Sequence, residues 1–479
     1  MPNTRENPLI GLIGGFPEQL FVIVRWMISA QLWKQALVAM LLAPLFGFLA
    51  FDLGWFPDAA ARLNNITVTF GTIFLTFINL LVPPVVAFSV FVGIVSNSDL
   101  GAVKRIGLTA IVTYACTTIL AVLVGAILAT VFMPLATAMV DPRLVAATLA
   151  AAGSVPVVEG PPAIFTILAE MIPQGNLLNP FLEGNLLQII VIAVAIGIAT
   201  LAILNMAGGA MVEGARVVVQ IAEYAMGLFL RLLSWTMMLV PFATFGFMFD
   251  AIVKQQSVAA LFAIIGFALI IVLGLLTLMT LYAVTTKLIR GLTLRQIARA
   301  ARDPLLITFS TASSSVAMPY TMKAAEEKFG VSPQIARTTV PLGATVNMDG
   351  TSVYQVMALV FLISLFGDIA GVSVTLGTLT TIALLVVLYS VGTPGVPGGS
   401  VKVIQEVLAM FGMPPGVIGI ILPMDRLLDM SRSAVNVSGD LFTACVTDRL
   451  CRPLPGRRED LTQSLHPQRN GDTLSDSQS

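Results

Sequence analysis

Hydrophobic stretches at about residues 35–51, 66–96, 107–135, 183–206, 217–249, 258–285, 336–366 and 416–446 constrain this chain more than any other feature of it. A helix needs about 20 mostly apolar residues to cross a bilayer, and a soluble core has no use for eight such runs. Charged residues make up 11% of the 479 positions, against roughly 25% in an ordinary soluble domain. A soluble enzyme and a disordered chain are both excluded, which leaves an all-α integral membrane protein. Several stretches exceed the bilayer length, and this predicts tilted or broken helices.

The 26 basic and 26 acidic residues cancel, so charge gives no reason to expect a nucleic-acid partner. The three cysteines, Cys116, Cys445 and Cys451, lie in or beside apolar stretches and form no disulfide framework. The single histidine, His466, sits in a polar tail, so neither a histidine metal site nor a catalytic triad can lie in the membrane body. Residues 1–15 lack the basic, apolar and small-residue order of a signal peptide. The first helix is expected to stay in the cell (inner) membrane, behind an amphipathic or cytoplasmic segment 1–34.

Basic residues sort to one side of the expected spans. Lys104 and Arg105 follow the second; Lys287, Arg290, Arg295, Arg299 and Arg302 follow the sixth; Arg449, Arg452, Arg457 and Arg458 follow the last. The connection after the third span carries Asp141, Glu159 and Glu170 against Arg143 alone. Excess Lys and Arg mark the cytoplasmic side, so both termini are expected there.

Two further apolar segments do not fit as crossings. The first, about 304–322, has basic clusters on both flanks, the serine-rich centre Ser310-Thr-Ala-Ser-Ser-Ser315, and Pro319. The second, about 374–413, is interrupted by Ser390-Val-Gly-Thr-Pro-Gly-Val-Pro-Gly-Gly-Ser400. Such a break is tolerated at membrane depth only where it is buried in protein or lines a water-filled cavity. Both read as re-entrant helical hairpins entering from opposite faces, the pattern of an inverted repeat whose broken elements meet near the midplane.

Along the last span, Asp425, Asp429, Arg432, Asn436 and Asp440 are separated by 4, 3, 4 and 4 positions. At about 100° per residue they fall within an arc of roughly 80°. An ionised group at a helix centre costs about 2.5–3.5 kcal/mol on insertion scales. One Asp–Arg pair gluing two helices explains one acid of this row and not the others, so the row marks a substrate or ion path. Arg432 presents a fork that binds a carboxylate bidentately. Asp425, two turns earlier, can hold that fork in an empty site, and Asp429 suits an ammonium group. A zwitterion with an extra carboxylate, aspartate or glutamate, matches this pairing. In the seventh span Asn347-Met-Asp-Gly-Thr351 supplies hard oxygen ligands in an otherwise apolar segment. Without His or Cys, these suit alkali cations or protons rather than zinc, copper or iron.

These motifs resemble the dicarboxylate/amino acid:cation symporter (glutamate transporter) family, which itself serves as an example of the inverted-repeat architecture. The resemblance rests on Ser313-Ser-Ser315, Pro341-Leu-Gly-Ala-Thr-Val-Asn-Met-Asp-Gly-Thr351, Gly395-Val-Pro-Gly398 and the run from Asp425 to Asp440. It extends back through Ile172-Pro-Gln-Gly-Asn-Leu-Leu178 and Glu183-Gly-Asn-Leu-Leu-Gln188, and covers all but the two ends.

The resemblance implies eight transmembrane helices, two re-entrant hairpins and a homotrimer working as an elevator. Segments 35–106 and 136–257 would be scaffold, the latter with the extracellular connection. Segments 107–135 and 258–446 would be transport domain, and 447–479 a disordered cytoplasmic tail. Asp429 would bind the substrate amino group and Arg432 its side-chain carboxylate, with Ser313, Ser314, Ser315, Thr351, Val396, Ser433 and Asn436 at other substrate positions. Gly343, Asn347, Asn436 and Asp440 resemble one sodium site. Thr345, Met348, Ser390, Val391 and Thr393 resemble a second, closed by the outer hairpin. Tyr114, Thr117, Thr118, Asn347 and Asp349 resemble a third.

The sequence also departs from that family. Members usually carry an arginine where Ala312 or Met430 stands here, and threonine is common at the position of Ser433. Lys402 and Glu406 add charges to the returning arm of the outer hairpin, spaced for a helical pair. The function expected is import of an acidic amino acid with transported Na⁺ or H⁺, without a resident cofactor and without enzymatic activity. A C4-dicarboxylate or proton-coupled carrier on the same fold is the alternative. An intramembrane aspartyl protease would need Gly-x-Gly-Asp, and Val437-Ser-Gly-Asp440 lacks the first glycine.

Overall fold

The structure, a computed structural model, describes residues 32–95, 102–152, 169, 171–173, 175–206, 208–255, 260–390 and 398–451. The N-terminal segment, most of the connection around Glu159 and Glu170, residues 391–397 and the C-terminal tail lie outside them. The expectations for Val391, Thr393 and Val396 therefore fall outside the described residues.

Among the described residues all regular elements are helical. They are α1 (Leu32–Gly47), continued by a π turn to Asp52, α2 (Pro57–Val95), α3 (Ala102–Thr137), α4 (Pro142–Ala152), α5 (Asn179–Glu183), α6 (Leu186–Leu204), α7 (Ala210–Thr236), α8 (Val240–Gln255) and α9 (Ala260–Arg290). There follow α10 (Leu294–Thr311), α11 (Ser314–Lys323), α12 (Pro333–Val346), α13 (Asp349–Phe366), α14 (Leu376–Ser390), α15 (Gly399–Met410) and α16 (Leu422–Cys451). Among the described residues, seven helical stretches are long and apolar enough to cross a membrane: Lys34–Asp52, Pro57–Val95, Arg105–Thr137, Leu186–Leu204, Ala210–Lys254, Ile264–Arg290 and Pro333–Ala370. The chain is a multi-pass membrane protein. α16, at 30 residues, also has the length to cross, but its row of charges removes it from the apolar set.

Element boundaries differ from the sequence expectation where local chemistry intervenes. The fourth span begins not at 183 but after a break, because Gly184 adopts φ 70° at the end of α5. The side chain of Asn185 then caps α6, accepting from the Gln188 N–H at 3.2 Å. The fifth span runs through two helices joined by a 3₁₀ turn at Met237–Leu239. Pro241, with no N–H to give, is the second residue of the helix that follows. The last helix continues past residue 446 to Cys451. Asp448 is buried there, paired with Arg290 at 2.8 Å and accepting from the Ser332 N–H.

α10 and α11 form a helix–turn–helix joined by Ala312 and Ser313, with Ala312 in the left-handed region at φ 52°. Ser313 caps α11 by accepting from the Val316 N–H at 3.4 Å. α14 and α15 flank the second proline- and glycine-rich break.

The most extensive packing joins α13 to α3, α8 to α1 and α2, α2 to α6 and α7, and α16 to α9, α10, α12 and α13. α13 is buried at every position from Asp349 to Ile363, the signature of a helix surrounded by protein on all sides. Its Phe361 ring packs 4.6 Å from that of Phe267 on α9. The charged row of α16 faces the start of this central helix.

Candidate substrate and cation site

Two helices that break against a third build the site. α12 ends at Val346, Asn347 and Met348 leave helical geometry, and α13 restarts at Asp349. A restarting helix exposes free N–H groups and positive potential. Here Asn436 of α16 supplies the acceptor, its Oδ1 taking the N–H of Gly350 at 2.8 Å and of Thr351 at 3.3 Å. Its Nδ2 turns to Met348 Sδ at 3.2 Å and Thr351 Oγ1 at 3.3 Å. The approach requires glycine, since a Cβ at Gly350 would meet the Arg432 carbonyl and the Val435 side chain.

One turn away stands the guanidinium of Arg432, 1% exposed. Its Nη1 donates to Asp425 Oδ1 at 3.0 Å and its Nε to Asp429 Oδ1 at 3.1 Å, with Nη2 2.9 Å from that same oxygen. It stacks over the Tyr354 ring at 4.3 Å, and the Tyr354 O–H donates to Asp425 Oδ1 at 2.9 Å. Asp425 and Asp429 thus share the fork between them. Arg432 is held flat and aimed, with its charge compensated by groups that an incoming carboxylate can replace.

A second cluster surrounds Asp349 and Asp440, both fully buried. Asp349 Oδ1 accepts from Thr118 Oγ1 at 3.0 Å, and its Oδ2 accepts from the Tyr282 hydroxyl. Asp440 Oδ1 accepts from Asn347 Nδ2 at 2.9 Å. Gly343 lies so close that a Cβ there would meet both Asp440 Oδ1 and the Tyr114 hydroxyl. Tyr114 donates to the Thr339 carbonyl at 2.9 Å, and Thr117 to the Tyr114 carbonyl at 3.0 Å. Asn347 Oδ1 is buried with no hydrogen-bond partner. Among the described residues no basic side chain pairs with either acid. Two uncompensated acids beside an open amide oxygen form a cation-attracting environment. The α16 row is different, since the Arg432 guanidinium balances Asp425 and Asp429.

The structure thus brings together Tyr114, Thr117, Thr118, Gly343, Asn347, Asp349, Asn436 and Asp440, and beside them Thr351, Asp429 and Arg432. Ser433 is buried on α16, and Ser314, at the first hairpin tip, donates to the Ala344 carbonyl at 3.4 Å. Thr345 uses its hydroxyl on the Leu342 carbonyl at 2.9 Å, while Ser390 Oγ is buried with no partner. Ser313 is spent on its cap, and Ser315 is exposed. Two residues escape a reading of motifs: Tyr282, which serves Asp349, and Tyr354, which serves Asp425 and Arg432. A signal existed, because the chain has only 6 tyrosines and a lone phenol in an apolar span needs a polar partner.

The sequence profile of the sodium:dicarboxylate symporter family matches residues 32–450. The chain belongs to this family. It is a transporter, not an enzyme. It is 28% identical to a proton/sodium-glutamate symport protein of Bacillus caldotenax over 82% of this chain and 89% of that protein. It is likewise 28% identical to a C4-dicarboxylate transport protein of Laribacter hongkongensis (strain HLHK9), covering 87% and 90%. A C4-dicarboxylate transport protein of Cupriavidus taiwanensis is 28% identical, covering 89% and 93%.

Proposed function

We propose that this family member is a secondary active symporter importing an acidic amino acid, aspartate or glutamate, together with cations, Na⁺ foremost. The observation that carries this reading is the stacked Arg432 fork, shared by Asp425 and Asp429, beside two buried acids without basic partners. Arg432 takes the side-chain carboxylate, Asp429 the amino group, and Thr351, Ser314, Ser433 and Asn436 position the rest. Gly343, Asn347, Asn436 and Asp440 form one cation site, and Tyr114, Thr117, Thr118, Asn347 and Asp349 another. Thr345, Met348 and Ser390 contribute to a third, closed by the outer hairpin.

The physical logic is linkage. A domain burying uncompensated acids moves poorly, and cargo cations together with substrate neutralise it. Each excess positive charge carried inward gains about 2.3 kcal/mol per 100 mV. Transport follows an elevator motion in a homotrimer in the inner membrane, with both termini cytoplasmic. α3 and α9–α16 move as one body against α1, α2 and α6–α8. The extensive packing within each of these two sets supports that division, as does the helix–turn–helix form of α10 and α11 for the inner re-entrant hairpin.

Radiolabelled uptake into proteoliposomes under Na⁺ and proton gradients, comparing aspartate, glutamate and succinate, tests the proposal. Arg432→Gln is expected to shift preference from acidic toward neutral amino acids; undiminished aspartate uptake by this variant contradicts the assignment. The name of the Bacillus relative supports the glutamate reading. Those of the Laribacter and Cupriavidus relatives support a second reading, a C4-dicarboxylate carrier with the same fork.

A further inference from the structure

The row on α16 holds a second guanidinium with no role so far. Arg426 follows Asp425 and is 6% exposed. It borders a small cavity between α16, α8 and α2, of about 20 Å³, that Asp425, Asp429 and Gly398 also line. The facing side chains, Phe74, Val240, Ala243, Thr244 and Phe247, include no acid, so Arg426 is not an ionic rivet to those helices. Its Nη1 stands 3.5 Å from Asp429 Oδ2, yet neither Nη1 nor Nε has a hydrogen-bond acceptor among the described residues. A buried donor left open in this way is costly unless something fills it.

The consequence falls on Asp429. Both contacts from Arg432 go to its Oδ1, which leaves Oδ2 as the oxygen facing Arg426. An ammonium reaching Oδ2 must approach a second guanidinium of like charge. A carboxylate arriving there meets the two open donors of Arg426 alongside the Asp429 carboxylate. We propose that Arg426 is a specificity-determining residue that weakens the hold of Asp429 on an ammonium, and so narrows the margin between an acidic amino acid and a C4-dicarboxylate that lacks one. The proposal rests on the reading of the α16 row as the substrate site.

The test uses full-length protein in proteoliposomes under a Na⁺ gradient, with KM measured for aspartate and for succinate, the poorer of the two as a competitor. The variants are Arg426→Met, Arg426→Gln and Arg426→Lys. Both neutral variants are expected to raise the ratio of the succinate to the aspartate constant about tenfold or more. Arg426→Lys, which keeps the charge but loses the fork, should fall between them and wild type. Either neutral variant decides the matter if the other does not fold. An unmoved ratio in an active transporter overturns the role of Arg426 alone. Wild-type protein that takes neither compound overturns the substrate-site reading, and this inference with it.

Discussion

Four tyrosines, Tyr114, Tyr282, Tyr354 and Tyr389, are buried in the membrane body, each with its hydroxyl in a hydrogen bond. Three of them donate to acids, Asp349, Asp425 and Glu406 respectively. A neutral O–H holds a carboxylate in place without cancelling its charge, so the acid keeps its attraction for a cation or a guanidinium. The residue scale also shows where backbone is strained. Ala312, with φ 52°, is the sole non-glycine residue of positive φ among those described. Left-handed geometry costs an L-residue about 1–2 kcal/mol, whereas glycine loses about 0.5–1 kcal/mol through its freer unfolded chain. Thermal melting in detergent should therefore find Ala312→Gly as stable as wild type or slightly more so. Ala312→Val should melt lower, its branched side chain being worse in this geometry.

At the scale of elements, α14 and α15 meet the break between α5 and α6. Glu406 on α15 accepts from the Leu186 N–H at 3.0 Å, the first free donor of α6, and from the Tyr389 hydroxyl at 2.9 Å. Lys402, 3.5 Å from Glu406, leans over Gly184, where a Cβ would stand 3.2 Å from its Nζ. A negative group thus meets a helix start and a positive one a helix end, as the helix dipoles favour. Glu406→Ala strips α6 of this acceptor and leaves Lys402 unpaired, at a cost of about 1–3 kcal/mol. The expected result is a lower melting temperature together with faster proteolysis near residue 184. Glu406→Gln, which keeps one acceptor oxygen, should lose less.

For the whole molecule the same charges predict coupled stabilisation. A ligand bound only by the folded protein stabilises it by about 2.7 kcal/mol at a hundredfold excess over Kd. If cations fill the neighbourhood of Asp349 and Asp440 before the substrate seats on Arg432, aspartate should raise the melting temperature strongly in Na⁺. In a choline buffer it should do so weakly or not at all. Equal shifts in the two buffers would separate the sites energetically and oppose symport.

How much of this was legible in the chain depends on periodicity and distance. The membrane class, the placement of most spans and the face shared by Asp425, Asp429, Arg432, Asn436 and Asp440 follow from hydropathy and helical spacing, which are local properties of consecutive residues. The break at Asn347-Met348 could be read the same way. The start of α6 could not, because it turns on the left-handed Gly184 and on Glu406, 220 residues further along. Nor could the partners of Tyr282 and Tyr354, or the open donors of Arg426, since they depend on which helices pack together. Sequence by itself determined the kind of protein and the charges it commits to the membrane. Only the tertiary structure decided which of those charges neutralise one another and which have no basic partner, because that balance is set by distances of about 3 Å between groups brought together by helix packing.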